Sequence, residues 1–192
     1  MKKKSQQLYL PIILGTTRKE RMSRHVAAFV LSELEKIDEV KTELIDVCDL
    51  NLPMDDAGEK IKNAKFSRQM TRADGVIIVA PEYNHGYPGI LKHALDTNLK
   101  EYIHKAAGIC GVSASEIGGV RMIQNLLPVL RELGLTTIFY DGYFPNVAKL
   151  FDEKSGKLLD EKLIGVLDRF FKELIWMANT LRDGREKTPA EK

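Results

Sequence analysis

The chain has 192 residues, of which 44% are hydrophobic, and its 29 lysine and arginine residues nearly balance its 27 aspartate and glutamate residues. This is the composition of an ordinary folded domain and it excludes a disordered chain. The formal net charge of +2 is distributed along the sequence, so no basic stretch indicates binding to nucleic acid or to an anionic membrane surface. We therefore expect a single domain, residues 1–192, without a nucleic-acid or membrane partner.

The amino-terminal segment and the two cysteines indicate the cellular compartment in which the protein is expected. Three lysines at 2–4 precede an apolar run, 8–14, that Pro11 interrupts, and this run is shorter than a signal peptide or a membrane span requires. Cys48 and Cys110 are far apart and form no C-x-x-C pair, which predicts neither a disulfide scaffold nor a zinc site. A reducing cytoplasm is the expected location.

Apolar segments alternate with amphipathic segments along the chain, and this pattern predicts an α/β fold around a parallel sheet. Five strands are predicted, at residues 8–14, 42–47, 75–80, 106–112 and 135–139. Helices are predicted at residues 23–36, 59–72, 88–99, 118–133 and 160–182. Irregular structure is predicted at 51–58 and at 141–157, the second as a functional or interface loop, and a frayed tail at 183–192.

The carboxyl ends of the predicted strands are where a ligand is expected. Right-handed crossovers place the ends of parallel strands at one edge of the sheet, and either of two doubly wound strand orders opens a crevice there. The loops after the first, third and fourth strands are also unusually rich in glycine, proline or hydroxyl residues. We therefore expect these three loops to form the functional site.

The loop after the first strand has the composition of an anion site. Gly15, Thr16, Thr17 and Arg18 follow the strand, and Ser23 stands at the start of the next helix. Hydroxyls, a guanidinium and the N–H groups of a helix amino terminus all bind phosphate well. The loop lacks the patterns of triphosphate and dinucleotide sites, which favours a single phosphate. The alternative is a solvated basic turn in which Ser23 only caps the helix.

The loop after the third strand is rigid and aromatic. Two prolines and two glycines restrict its backbone, and Pro88 starts the following helix. Fixed backbone N–H groups and aromatic surface suit a planar heteroaromatic ring with acceptors on its edge. The residues expected to frame such a ring are Pro81, Glu82, Tyr83, Asn84, His85 and Gly86.

The loop after the fourth strand combines small residues with a helix start. Ser113, Ser115, Gly118 and Gly119 lie there, and glycine allows a ligand to approach the backbone closely. The alternative is a plain loop in which Ser115 caps the helix. Pro128 lies inside the predicted helix and predicts a kink.

With these three loops in this order, the sequence resembles the NADPH-dependent FMN reductase family of flavodoxin-like proteins over roughly residues 8–135. The matching segments are Gly15-Thr16-Thr17-Arg18, Pro81-Glu82-Tyr83-Asn84, Pro88-Gly89, Ala94-Leu95-Asp96 and Gly118-Gly119-Val120-Arg121. The chain departs from the family at His93, where Asn is common, and at Thr97-Asn98, where an aromatic residue is common. These departures concern the pocket wall, the subunit contacts and the second substrate.

The resemblance implies a flavodoxin-like three-layer sandwich whose five-stranded parallel sheet has the order 2-1-3-4-5. It also implies noncovalent FMN, NADPH or NADH as co-substrate, a small-molecule electron acceptor, and a homodimer or homotetramer with interface candidates in the helix from Pro88 and in 141–157. In that scheme the phosphate is held by Thr16, Thr17, Arg18 and Ser23, the ring is framed by Pro81 to Gly86, and its far edge is closed by Ser113, Ser115, Gly118 and Gly119.

No side chain is predicted to be catalytic, because hydride transfer between a nicotinamide and a flavin depends on stacking and alignment. His85 could donate a proton to a quinone-like acceptor, or it could simply face solvent. The histidines show no H-E-x-x-H spacing, so no metal site is predicted. We expect an NAD(P)H oxidoreductase that reduces a quinone, azo, flavin or metal-oxyanion acceptor by a ping-pong mechanism. The alternatives are an electron carrier and a flavin-binding module without turnover.

Overall fold

The computed structural model describes residues 6–54 and 62–188 of the chain. Its strands are β1 (Leu8–Tyr9), β2 (Ile12–Leu14), β3 (Val40–Lys41), β4 (Leu44–Asp46), β5 (Gly75–Pro81), β6 (Lys105–Val112), β7 (Leu135–Thr137) and β8 (Gly142–Phe144). Its α-helices are α1 (Ser23–Leu34), α2 (Ala64–Arg72), α3 (Gly89–Asp96), α4 (Val120–Glu132), α5 (Val147–Leu150) and α6 (Asp168–Lys187). Short 3₁₀ turns lie at Val47–Leu50 and Glu161–Leu163.

The sheet is parallel, with the order β4-β2-β5-β6-β7, while β1 pairs with β3 and β8 pairs with β6. β1 and β2 are two parts of the first predicted strand, separated around Pro11, which has no N–H to donate. β7 and β8 lie one after the other along β6 and together form the fifth strand position. When β1 and β2, β3 and β4, and β7 and β8 are each counted as one strand, the predicted order 2-1-3-4-5 is confirmed. These three strands are each divided into two short segments, which the prediction did not include.

Two cores, one on each face of the sheet, make the fold a three-layer sandwich. Ile12 and Leu14 of β2 face the layer of α1 and α6, whereas Ile13 between them faces the layer of α2, α3 and α4. This alternation follows from the two-residue period of side chains along a strand. The first core includes Val26, Val30, Phe170 and Leu174, and the second includes Phe66, Leu91, Ile123 and Leu126.

The segment 141–157, predicted to be irregular, contains regular elements, so that prediction is wrong for residues 142–144 and 147–150. It contains β8 and α5, and it closes with an antiparallel bridge between Phe151 and Leu158. Phe144 and Phe151 are buried against Phe29 of α1, with ring centroids 6.4 Å and 5.9 Å from it. The Gly, Pro and Asn content predicted a loop, and no hydrophobic period contradicted it. The segment is held in place by burial of these aromatic rings.

The last helix is shifted relative to its prediction at 160–182. α6 begins only at Asp168, because the chain first makes a 3₁₀ turn and then passes through Gly165 with a φ of 83°. Glycine is the residue that adopts this left-handed backbone at least cost. The helix also runs to Lys187, well into the segment 183–192 that was expected to be frayed, so that expectation is wrong for its first residues.

Other boundaries move by a few residues. Asn63 accepts a hydrogen bond from Phe66 N at 2.9 Å and thereby caps α2, so the helix starts later than predicted; positions 59–61 lie outside the described residues. β7 ends at Thr137, and Phe139, predicted in the same strand, is 82% exposed. The remaining helices lie close to their predicted positions, and Pro128 is inside α4.

Candidate functional site

Three loops meet at the carboxyl ends of β2, β5 and β6, and we call them together the carboxyl rim. They span residues 15–22, 82–88 and 113–119. Parallel pairing of β2 with β5 and of β5 with β6 places all three strand ends at one edge of the sheet. The prediction that these loops lie side by side is confirmed.

The first loop presents polar groups at the amino terminus of α1. Thr16 is 1% exposed, and its hydroxyl lies 3.0 Å from the hydroxyl of Tyr83 in the second loop. Ser23 is 2% exposed, and its Oγ has no hydrogen-bond partner among the described residues. Met22 occupies the cap position of α1 and makes no side-chain cap bond, so Ser23 does not serve as the ordinary helix cap of the alternative interpretation.

An unpartnered buried hydroxyl is costly, on the order of 1–3 kcal/mol, unless something else satisfies it. At this position the N–H groups of the helix carry partial positive charge. A ligand oxygen that bears negative charge would therefore satisfy Ser23 and be attracted by α1 at the same time. The geometry fits a phosphate.

Arg18 and Thr17 are exposed beside this position. The Arg18 guanidinium lies over the Tyr83 ring, 4.4 Å from its centroid, in a cation–π contact. Arg18 makes no ion pair with any carboxylate of the described residues, whereas Arg21 pairs with Asp46. Arg18 is therefore held at the rim with its charge available to a ligand.

The second loop contains a tight turn over residues 83–86. Tyr83 and Gly86 exchange two backbone hydrogen bonds of 2.9 Å, and between them Asn84 and His85 have φ values of 49° and 68°. Positive φ at both central residues defines a type I′ turn. The sequence suggested its two prolines and two glycines as the source of rigidity, but within the turn it is Asn84 and His85 that adopt the left-handed conformation, which Asn and His enter more readily than most residues.

Two side chains fasten the second loop to α4. The Glu82 carboxylate accepts hydrogen bonds from Arg121 N at 3.2 Å and from Arg121 Nη1 at 3.4 Å. Asn125 donates from Nδ2 to the carbonyl of His85 at 2.8 Å. Glu82 was predicted to frame a ring, and in the structure its carboxylate faces the start of α4. Asn125 was not predicted, because an amide on an exposed helix face gives no specific signal.

The third loop is closed by its own serine. Ser113 Oγ donates to the carbonyl of Ser115 at 2.8 Å and accepts from Gly118 N at 3.0 Å. A Cβ added to Gly119 would lie 2.8 Å from Cα and C of Gly111 in β6, and Gly119 has a φ of 82°. The glycine is thus required by the approach of the loop to its own strand. Gly119 occupies the cap position before α4, and no side chain caps the helix there. Ser115 is therefore not the cap of α4.

The titratable groups near the rim are few. Cys110 is buried, and burial raises the pKa of its thiol. Burial also raises the pKa of Asp141, while the pKa of Tyr143, whose hydroxyl donates to that carboxylate at 3.0 Å, is raised to about 12. Within 6–54 and 62–188, no group of three or more His, Cys, Asp or Glu residues is arranged to hold a metal ion. In the same ranges no helix is both long and apolar enough to cross a bilayer.

Comparison with known proteins agrees with this geometry. A family model described as NADPH-dependent FMN reductase matches residues 10–147. A quinone reductase from Pseudomonas putida is 30% identical over 178 residues, covering 86% of this chain and 94% of the relative. An NAD(P)H-dependent FMN reductase from Saccharomyces cerevisiae is 30% identical over 146 residues, covering 66% of this chain and 75% of the relative.

A solved structure shows the same fold. The flavoenzyme NAD(P)H:(acceptor) oxidoreductase FerB from Paracoccus denitrificans superposes with a TM-score of 0.71, covering 92% of this chain and 98% of that chain at 22% identity. Fold, loop order and sequence matches point to one assignment, which the loop residues had suggested. The chain belongs to the NADPH-dependent FMN reductase family, an oxidoreductase family that works with FMN and a nicotinamide dinucleotide.

Proposed function

We propose that the protein is an FMN-dependent NAD(P)H oxidoreductase that reduces a quinone, azo, flavin or metal-oxyanion acceptor by a ping-pong mechanism. Family membership supports the redox chemistry. The single observation that carries the proposal for this chain is the buried Ser23 hydroxyl, which lacks a partner among the described residues at the amino terminus of α1.

The first loop would bind the phosphate of FMN. Ser23 and Thr16 would donate from buried hydroxyls, and α1 would contribute the partial positive charge of its amino terminus. Exposed Thr17 and Arg18 would cover the phosphate from the solvent side, with Arg18 forming a charge-assisted hydrogen bond. Because Arg18 stacks on Tyr83 and Thr16 lies beside the Tyr83 hydroxyl, the phosphate and ring sites are connected through one side chain.

The second and third loops would position the ring. Residues 81–86 offer a turn whose backbone is fixed by two hydrogen bonds and by Asn125, and Ser113, Ser115, Gly118 and Gly119 would close the far edge. FMN, when bound, supplies the group that accepts hydride from the nicotinamide and passes electrons to the acceptor. The protein has then to orient the ring and leave one face open, which requires no acid or base side chain.

We further propose that the protein is one domain that assembles into a homodimer or homotetramer in the cytoplasm. Phe139, Tyr140 and Tyr143 lie on the β7–β8 segment and are 82%, 40% and 42% exposed, which is a large aromatic surface to leave in water. Both cysteines are unpaired, as is usual in a reducing compartment. Light scattering should give at least twice the chain mass, and Phe139→Asp should lower it.

The function is tested with the purified protein. We expect a flavin absorbance spectrum, stoichiometric uptake of added FMN, and steady oxidation of NADPH or NADH with excess quinone. Arg18→Ala should weaken FMN binding by about tenfold without changing the free energy of unfolding. Failure to take up FMN would overturn the proposal, and FMN binding without turnover would favour an electron carrier.

A further inference from the structure

A second polar cleft lies at the opposite end of the sheet from the carboxyl rim. It is formed where β1, β5 and β6 begin and where α2 and α6 end, and its volume is about 360 Å³. We call it the amino-edge cleft. The charged residues that line it are Arg72, Asp74, Lys105, Arg182, Arg185 and Glu186.

Positive charge exceeds negative charge on the walls of this cleft. Four of the lining side chains are cationic and two are carboxylates. Glu43 adds a further carboxylate behind the wall, where it accepts hydrogen bonds from Tyr9 Oη and, at 2.9 Å, from Gln69 Nε2. Even with Glu43 included, the cleft holds more cations than carboxylates.

Asp74 is already satisfied by its neighbours. It accepts hydrogen bonds from Tyr9 N at 3.0 Å and from Arg185 Nη2 at 3.1 Å. Arg182 Nη1 lies 3.7 Å from Oδ2 of Asp74 and forms an ion pair with it. Arg185 also donates to the carbonyl of His104 at 2.6 Å. Asp74 therefore compensates the two arginines of α6 and has little capacity left for the other two cations.

Lys105 and Arg72 are the cations of the cleft that form no ion pair with a carboxylate of the described residues. Lys105 is 7% exposed, and within 6–54 and 62–188 its ammonium donates only to the carbonyls of Met70 and Thr71 at the end of α2. One of its three N–H groups has no partner in those ranges. Arg72 lies over the Tyr9 ring at 4.9 Å and makes no ion pair with the described residues. Burial, and next the charge of Arg185, lowers the pKa of Lys105 to about 8, while the charges of Asp74 and Glu101 act in the opposite direction.

We propose that the amino-edge cleft binds a small oxyanion carrying two or more negative charges, held by Arg72 and Lys105. A buried ammonium with no anionic partner is unfavourable, and a bound anion would supply that partner. Arg72 would add the planar donor set that pairs with phosphate and carboxylate groups. The cleft can hold a diphosphate or a tricarboxylate, and it lies far from the FMN loops, so this inference does not rest on the proposed function.

The test is calorimetric titration of the FMN-saturated protein with pyrophosphate and, separately, with citrate, at constant ionic strength. Saturating FMN keeps the phosphate position of the carboxyl rim occupied. We expect saturable binding of at least one anion, and the preferred one identifies phosphate or carboxylate as the natural group. Arg72→Gln should weaken this binding about tenfold, and Lys105→Met should weaken it similarly.

Arg68→Gln is the matched control, because Arg68 is an exposed arginine one turn earlier on α2 that does not line the cleft. It should leave the affinity within about twofold of the wild type. If Lys105→Met fails to fold, Arg72→Gln decides alone, since Arg72 is exposed and its only contact among the described residues is the one with the Tyr9 ring. No saturable binding of either anion, or equal loss in Arg68→Gln and Arg72→Gln, would overturn the proposal.

Discussion

The two ends of the sheet hold their polar groups in different ways. At the carboxyl rim, backbone turns and short side chains hold the loops in place, and the Ser23 hydroxyl has no partner among the described residues. At the amino edge, long charged side chains converge on Asp74, which two arginines and a backbone N–H satisfy. The rim is therefore shaped by backbone conformation, and the amino edge by charge.

This difference indicates how each end should respond to change. A loop fixed by backbone geometry is sensitive to the addition of a single carbon atom, because its atoms are already in contact. A cluster fixed by buried charge is sensitive to pH instead, because its stability depends on the protonation of its members. Substitutions that affect one end should leave the other unchanged.

The largest effect is expected from Gly119→Ala at the rim. The added Cβ would lie 2.8 Å from backbone atoms of Gly111, and φ is 82°, so roughly 2–4 kcal/mol of unfolding free energy should be lost. Urea unfolding measures the loss. Gly89→Ala is the control, since nothing lies within 4 Å of its added Cβ. Equal urea midpoints for Gly119→Ala and the wild type would show that the contact does not constrain the loop.

The stability that the amino edge contributes should depend on pH through Lys105. The pKa of Lys105 is lowered from 10.5 to about 8 in the folded protein, so between these values the unfolded chain binds more protons than the native one. The free energy of unfolding should therefore rise with pH, by about 2 kcal/mol from Lys105 between pH 7.5 and 9.5.

Urea unfolding at several pH values measures this rise, and Lys105→Met should lack it. The raised pKa of the Cys110 thiol acts in the opposite sense within this range, and those of Tyr9 and Tyr143 act so at higher pH. The contribution of Lys105 is therefore the difference in slope between the wild type and Lys105→Met up to pH 9.5. Lys65→Met, which removes an exposed lysine of α2, should keep the wild-type slope. A Lys105→Met slope equal to that of the wild type would contradict the assignment.

Ser23→Ala should affect FMN binding without affecting the fold. The Ser23 hydroxyl has no partner among the described residues, so its removal should leave the urea midpoint of the FMN-free protein the same or higher, whereas loss of a hydrogen bond to phosphate should weaken FMN binding about tenfold. Fluorescence titration with FMN measures the affinity. Ser32→Ala removes a hydroxyl from the same helix that donates to Phe29 O at 2.9 Å and should not change FMN affinity. Unchanged affinity in Ser23→Ala would remove Ser23 from the phosphate site.

The smallest effect is expected from His85→Gly in the turn of the second loop. Asn followed by glycine is the preferred pair in a type I′ turn, so this change should stabilise the protein by up to about 1 kcal/mol. Turnover with a quinone should stay within about twofold, because no step requires His85. A loss of turnover of about tenfold or more, with FMN affinity unchanged, would instead identify His85 as a proton donor.

Local sequence patterns were sufficient for the architecture and for the placement of the three loops at one edge of the sheet. The apolar runs placed the strands, and the glycine and proline content marked the three loops. The contacts between loops were not predictable: the bonds of Glu82 to Arg121 and of Asn125 to His85 join residues about 40 positions apart. The same limit explains the error at 141–157, where Phe144 is held by Phe29 from a distant helix.

The close contact between Gly111 and Gly119 has a consequence for engineering. Each glycine occupies the space that the other would need for a side chain, since a Cβ on Gly111 would lie 2.6 Å from the carbonyl oxygen of Gly118 and one on Gly119 would meet Gly111. The third loop therefore cannot be exchanged for that of a relative without its strand. A graft will succeed only when the end of β6 is exchanged with it, so the unit of exchange is the strand and loop together.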